Sequence, residues 1–202
     1  MNITAEMIKA LRAETNAGVL DCRKALQESN GDHRKALAWL QEKGMALAAN
    51  RAERIASNGA IEIYSHGGGR VGVMVEVNCE TDFVARSEQF RSLAHEIALQ
   101  VAANSPKYVR PEDIPAAELE QEAEKARSQG REAGKSADII EQMVEGALES
   151  FRSEFVLLHQ AYIRDETMKV EQLITQNVAA MGENVVVRRF ERWELGENLG
   201  QA

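Results

Sequence analysis

Two short runs of alternating apolar and other residues constrain this chain more than any other feature. Gly59-Ala60-Ile61-Glu62-Ile63-Tyr64-Ser65 and Val71-Gly72-Val73-Met74-Val75-Glu76-Val77 flank the loop His66-Gly67-Gly68-Gly69-Arg70. Period-two alternation sends successive side chains to opposite faces, and a Gly-rich loop between two such runs signals a hairpin. Val71, Val73, Val75 and Val77 then share one face. A lone hairpin is rarely stable in water. Residues 185–195 (VVVRRFERWEL) supply a third strand that returns to it. The remaining segments have helical periodicity, so the expected class is α+β, with a small antiparallel sheet of about three strands covered by helices.

Residues 1–44 read as a compact three-helix bundle. Thr4 caps the first helix, with Glu6 in its opening turn and Ile8 and Leu11 as apolar positions. Thr15-Asn16-Ala17-Gly18 breaks it. Residues 19–29 form the second helix, with Ala25 and Leu26 inward, and Asn30-Gly31-Asp32 turns the chain. Asp32 caps a third helix that carries Ala36, Leu37 and Leu40 and is expected to stop at Gly44. Residues 45–58, rich in alanine and charge, read as a helical linker, and residues 59–202 as the core domain. Within that core a helix starts near Ser87, with Phe90, Leu93, Ala94, Ile97 and Val101 on one stripe. Pro106, Pro111 and Pro115 mark a loop. Residues 116–164 read as helical, with Ile139, Ile140, Met143, Val144, Ala147, Leu148 and Phe151 as the apolar face. Another helix is expected over 167–181, ended by Gly182-Glu183-Asn184.

The chain of 202 residues carries a formal net charge of −8, which disfavours nucleic acid and acidic membrane surfaces as direct partners. The N-terminal residues show no signal peptide, and no run has the length of a membrane span. Cys22 and Cys79 are far apart in sequence, too few for a metal cluster, and read as two reduced thiols in the cytoplasm.

Three fragments resemble parts of enzyme motifs. His66-Gly67-Gly68-Gly69 matches an esterase oxyanion segment, but no G-x-S-x-G elbow accompanies it. Gly130, Gly134, Lys135 and Ser136 fall one residue short of phosphate-loop spacing and follow a charged helix rather than a strand. His95-Glu96 opens H-E-x-x-H, but Leu99 stands at the second ligand position. The sequence therefore offers no catalytic residues, no metal ligands and no cofactor site. The unusual segment is Thr81-Asp82-Phe83-Val84, between a strand and a helix. Two readings of Phe83 stand open at this point: a plug in the domain's own core, or an exposed aromatic wedge of the kind that anchors binding.

Two separated runs carry a specific resemblance. One is Leu11-Arg12-x-x-Thr15-x-Ala17-Gly18-x-x-Asp21-Cys22-x-Lys24-Ala25-Leu26; the other is Glu76-Val77-Asn78-Cys79-Glu80-Thr81-Asp82-Phe83-Val84-Ala85. Val144-Glu145-Gly146 and residues 182–190 (GENVVVRRF) extend the agreement over nearly the whole chain. The sequence resembles the elongation factor Ts family in its short, single-core form. The resemblance implies a ubiquitin-associated-like bundle at the N-terminus and guanine nucleotide exchange on elongation factor Tu, without chemical catalysis. It also implies that Arg12, Val19, Leu20 and Arg23 lie on the face that docks on the nucleotide-binding domain of Tu. Methionines are common in the family where Val19 and Leu20 stand here. Thr81, Asp82, Phe83 and Val84 would intrude beside the magnesium site of Tu and dislodge the ion. A single sheet unit further implies a homodimer giving a 2:2 complex, with Val185, Val187, Phe190 and Trp193 as the candidate interface.

Overall fold

The computed structural model describes residues 3–15 and 17–197. Helices α1 (Ala5–Thr15), α2 (Val19–Glu28) and α3 (His33–Ala49) come first. Strands β1 (Asn58–His66) and β2 (Val71–Cys79) precede the one-turn helix α4 (Asp82–Ala85) and the longer α5 (Glu88–Asn104). Then follow α6 (Ala116–Glu132), α7 (Ala137–Phe155), a short hairpin of β3 (Ala161–Tyr162) and β4 (Asp165–Lys169), α8 (Val170–Met181) and β5 (Val185–Glu194). The main sheet has the order β1-β2-β5, and β3 pairs antiparallel with β4. The fold is the expected α+β arrangement. By internal packing the described residues divide into two compact units, one of residues up to 62, 75–96 and 172–188, the other of 63–74, 97–171 and 189 onward.

In the first unit, Leu11, Cys22, Ala25, Leu26 and Ala36 form the buried centre of the α1–α3 bundle, with Ile3, Met7, Ile8, Leu37, Trp39 and Leu40 packed around it. The capping positions are those the sequence indicates. Thr4 Oγ1 accepts from Met7 N at 3.3 Å, and Asp32 Oδ1 accepts from Lys35 N at 3.0 Å. Asn30 and Gly31 take positive φ, and Gly31 N donates to Leu26 O at 2.8 Å, closing the end of α2. Thr15 Oγ1 donates back to Leu11 O at 2.7 Å as α1 ends; Asn16 of the expected break lies outside the described residues. Helix α3 does not stop at Gly44 but runs to Ala49. Gly44 is buried, and a Cβ there would lie 3.6 Å from the Ala179 side chain, so this glycine serves close packing rather than termination. Only the opening residues of the expected linker are therefore helical; turns follow before β1 begins. Along β2, whose residues fall in both units, Val73, Val75 and Val77 are buried, as alternation requires, with Val71 half-buried.

In the second unit, α6 and α7 pack through Ala123, Ala126 and Val144, flanked by Ala147 and Leu148. The helix break between them falls at Gly134, whose φ is 63°. Ile139, placed on the apolar face by its spacing, is instead exposed. The helix read over 116–164 ends at Phe155, and α8 begins at Val170 rather than 167. Between them lies the β3–β4 hairpin. Two buried amides hold it. Gln100 Nε2 donates to Gln160 Oε1 and to Ala161 O, both at 3.1 Å, and Gln100 Oε1 accepts from Ile163 N at 2.9 Å. Gln160 Nε2 in turn donates to Asn104 O and Glu154 O. Buried polar groups need such partners, and this network overrides the local helical pattern.

Candidate partner-docking site

The segment 81–84 is built by one N-cap. Thr81, in extended backbone, accepts from Val84 N on its Oγ1 at 3.3 Å, and its carbonyl accepts from Ala85 N at 3.2 Å. That closes the single turn of α4. Ser87 repeats the device for α5: its hydroxyl donates to Val84 O at 2.8 Å and accepts from Phe90 N at 3.2 Å. A helical turn points successive side chains about 100° apart, and here the outcome is a clean division. Val84 and Ala85 are buried, whereas Phe83 is 81% exposed. Phe83 is therefore no core plug, and of the two readings only the exposed aromatic survives. Asp82, beside it, forms an i,i+4 ion pair with Arg86 at 2.9 Å, both side chains largely exposed. Exposed pairs of this kind contribute only about 0.3–0.5 kcal/mol, so Asp82 is available to a different partner at little cost.

Beneath the segment the backbone is held from several directions. Glu183 Oε2 accepts from Glu80 N at 3.1 Å and from Thr81 N at 3.0 Å, and its Oε1 accepts from the Thr81 hydroxyl at 2.6 Å. Glu80 Oε1 accepts from Asn184 N at 2.7 Å, and Asn58 Nδ2 donates to Glu80 O at 2.8 Å. The Cys79 thiol donates to Thr81 O at 3.2 Å. Burial pushes this thiol's pKa above its ordinary value, as it does for Cys22 in the bundle. Glu183 was visible in the sequence only as part of a helix stop; nothing in its local pattern marks it as a partner of residues about a hundred positions earlier.

The other expected docking residues lie on the bundle surface. Arg12, Val19, Leu20 and Arg23 are all exposed, Leu20 at 79%. Val19 and Arg23 are i,i+4 neighbours on α2, while Arg12 lies in the last turn of α1. The strand residues behave differently. Val185 and Val187 are 4% and 3% exposed, so they belong to the chain's own core and are corrected out of the candidate interface. Phe190 is half-buried, and Trp193 is 77% exposed. The outward apolar residues of the second unit's strands are Ile63, Met74 and Trp193, with Leu195 just beyond β5. Among the described residues, no cluster of His, Cys, Asp and Glu could hold a metal ion, and no helix is long and apolar enough to cross a membrane. The His66–Gly69 loop is a hairpin turn with positive φ at Gly67, Gly68 and Gly69.

A family model described as Elongation factor TS matches residues 2–197. Among curated relatives, the chain is similar to Elongation factor Ts of Carboxydothermus hydrogenoformans, 51% identical over 199 residues that cover 98% of this chain and 92% of the relative. It is 52% identical to Elongation factor Ts of Coprothermobacter proteolyticus over 197 residues, covering 98% of this chain and all of the relative. Elongation factor Ts of Herpetosiphon aurantiacus is 49% identical over 198 residues, again covering 98% of this chain and the whole relative.

Proposed function

Given that the chain belongs to the elongation factor Ts family, and is thus a translation elongation factor, we propose that it is the guanine nucleotide exchange factor for elongation factor Tu, acting without chemical catalysis of its own. The observation that carries this reading is Phe83, 81% exposed at the tip of a capped turn whose backbone is held underneath. An aromatic side chain in water costs free energy unless a partner covers it, and exposed aromatics on ordered loops are typical anchors.

The proposed steps follow from the charges at a nucleotide site. A bound magnesium ion is the largest local charge in such a site, bridging protein and phosphates. The bundle face of Arg12, Val19, Leu20 and Arg23 docks on the nucleotide-binding domain. Of the expected set Thr81, Asp82, Phe83 and Val84, the three exposed residues then enter beside the ion while buried Val84 anchors the turn: Phe83 displaces the element that orders the ion's ligands, and Asp82 leaves Arg86 to accept hydrogen bonds from the displaced backbone. With the ion lost, GDP is held by fewer interactions and leaves. Linkage makes the coupling reciprocal, so the factor weakens GDP as much as GDP weakens the factor. Direction comes from the excess of GTP over GDP.

In this reading residues 1–44 are the docking module, 45–58 the connection and 59–202 the core, and two copies pair to give a 2:2 complex with Tu. The outward side chains Ile63, Met74 and Trp193 supply the pairing surface in place of the buried valines.

The test is the release rate of a fluorescent GDP analogue from Tu. The wild-type chain accelerates release by orders of magnitude, and Phe83→Ala removes most of that acceleration while keeping its thermal transition, because the side chain it removes is 81% exposed in the free protein. Release unaffected by the wild-type chain sinks the exchange reading.

A further inference from the structure

Helix α4 has four residues. A helix that short has no stability of its own, because nucleation costs more than one turn returns. Its orientation, and so the direction in which Phe83 points, must come from what grips its ends. The C-terminal side is gripped by burial of Val84 and Ala85. On the N-terminal side, Asn58 and Cys79 hold the carbonyls of Glu80 and Thr81, while the N–H groups of both residues and the capping hydroxyl are taken by a side chain from the far end of the sequence, Glu183.

Glu183 sits in the turn between α8 and β5. Gly182, with φ of 80°, ends α8 by donating its N–H to Val178 O at 3.0 Å, and this left-handed residue delivers Glu183 and Asn184 to the 80–81 backbone. Successive backbone N–H groups of Glu80 and Thr81 then converge on a single carboxylate oxygen, while the other oxygen takes the Thr81 hydroxyl. Thr81 is thereby spent twice: its hydroxyl donates to Glu183 and accepts from Val84 N. The bond to Glu183 orients the very lone pair that caps α4. Hydrogen bonds to an ionised carboxylate are shorter and stronger than neutral ones. The grip is reciprocal. Glu80 reaches back to Asn184 N at 2.7 Å, and Asn184 Nδ2 donates to Ala52 O and, at 2.8 Å, to Arg54 O.

We propose that Glu183 is the positioning residue of the exchange site, clamping the Thr81 cap so that Phe83 stays rigidly aimed when it is driven into the partner. This rests on the wedge reading of Phe83 above. A wedge that yields under load transfers its displacement to itself rather than to its target, and preorganisation by residues that never touch the partner is the general way to prevent that. Thr81 is exposed, so water can replace the carboxylate when Glu183 is removed. The fold survives; the aim does not.

The experiment measures release of the GDP analogue from Tu over a range of factor concentrations for the wild type, Glu183→Ala, Phe83→Ala and the double variant. Expected is a fall of about tenfold or more in the maximal release rate of Glu183→Ala. The concentration for half-maximal effect should stay within about twofold, since the bundle face is untouched. In the Phe83→Ala background, Glu183→Ala should then add less than about twofold, because a clamp has no effect once the wedge is gone. A wild-type maximal rate for Glu183→Ala overturns the proposal, as do losses that multiply in the double variant. Should Glu183→Ala lose its thermal transition, Glu183→Gln keeps the volume and one neutral acceptor; a fall of about threefold supports the clamp, and a wild-type rate overturns it. Phe83→Ala at the wild-type rate removes the wedge itself and the clamp with it. Phe83→Ala slow with Glu183→Ala unchanged removes only the clamp.

Discussion

At Tyr108 the phenol donates to Glu118 Oε1 at 2.7 Å. Burial first, and then the adjacent carboxylate, push its pKa up to about 12. The folded chain therefore keeps this proton to higher pH than the unfolded one, whose tyrosines titrate near 10. The stability contributed by the protonated phenol is complete below about pH 10 and is lost as pH rises through about 12. In a phenolate absorbance titration Tyr108 should ionise late, and Tyr108→Phe should remove that contribution while softening the alkaline fall in stability. A late step of undiminished amplitude in Tyr108→Phe rules out this assignment. Phe83 makes the complementary point about legibility. Its place between a strand and a helix was readable, yet whether the aromatic points in or out depends on one increment of helical rotation. Pattern alone left that choice open.

Among the elements, the pairing of α6 with α7 turns on Gly130. A Cβ there would lie 2.7 Å from Ile140 Cγ1, inside contact distance. Alanine would add roughly 1 kcal/mol of helix propensity, but forcing a methyl into a closed contact costs about 1–3 kcal/mol, and the clash involves a stiff β-branched side chain. Gly130→Ala should therefore lower the thermal midpoint by a few degrees; an increase would show that the helices separate freely. The helix break between α6 and α7 lies at Gly134, whereas Gly130 is inside α6. Both are glycines in a polar stretch, and only the packing distinguishes a close approach from a stop. The β3–β4 hairpin was hidden for a related reason: its strands are two and five residues long, too short for alternation to register, and they are held by Gln100 and Gln160 from outside the segment.

At the scale of the whole molecule, apolar side chains left outward on the second unit's strands call for cover. Trp193 is 77% exposed and Ile63 74%; large apolar side chains exposed on a sheet are candidates for an association surface. In the proposed dimer Trp193→Lys should reduce the sedimentation-equilibrium mass from twice 22.4 kDa to that of one chain, leaving the monomer folded. A wild-type chain that sediments as a monomer at micromolar concentration removes the 2:2 assembly but not the exchange activity, because Phe83 and the bundle face lie in a single copy.

The sequence by itself determined the α+β class, the three-helix N-terminal unit with its caps at Thr4 and Asp32, the hairpin around His66–Arg70, the return strand and the position of the Thr81–Val84 segment. These follow from periodicity and from residues whose backbone preferences act within a few positions. Only the tertiary structure decided that Gly44 is packed against α8 rather than ending α3, that Val185 and Val187 are core, that Phe83 points outward, and that Glu183 grips the turn beneath it. Each of those depends on what a distant segment supplies, a side chain, a carbonyl or a surface to pack on, and such partners leave no period in the local sequence.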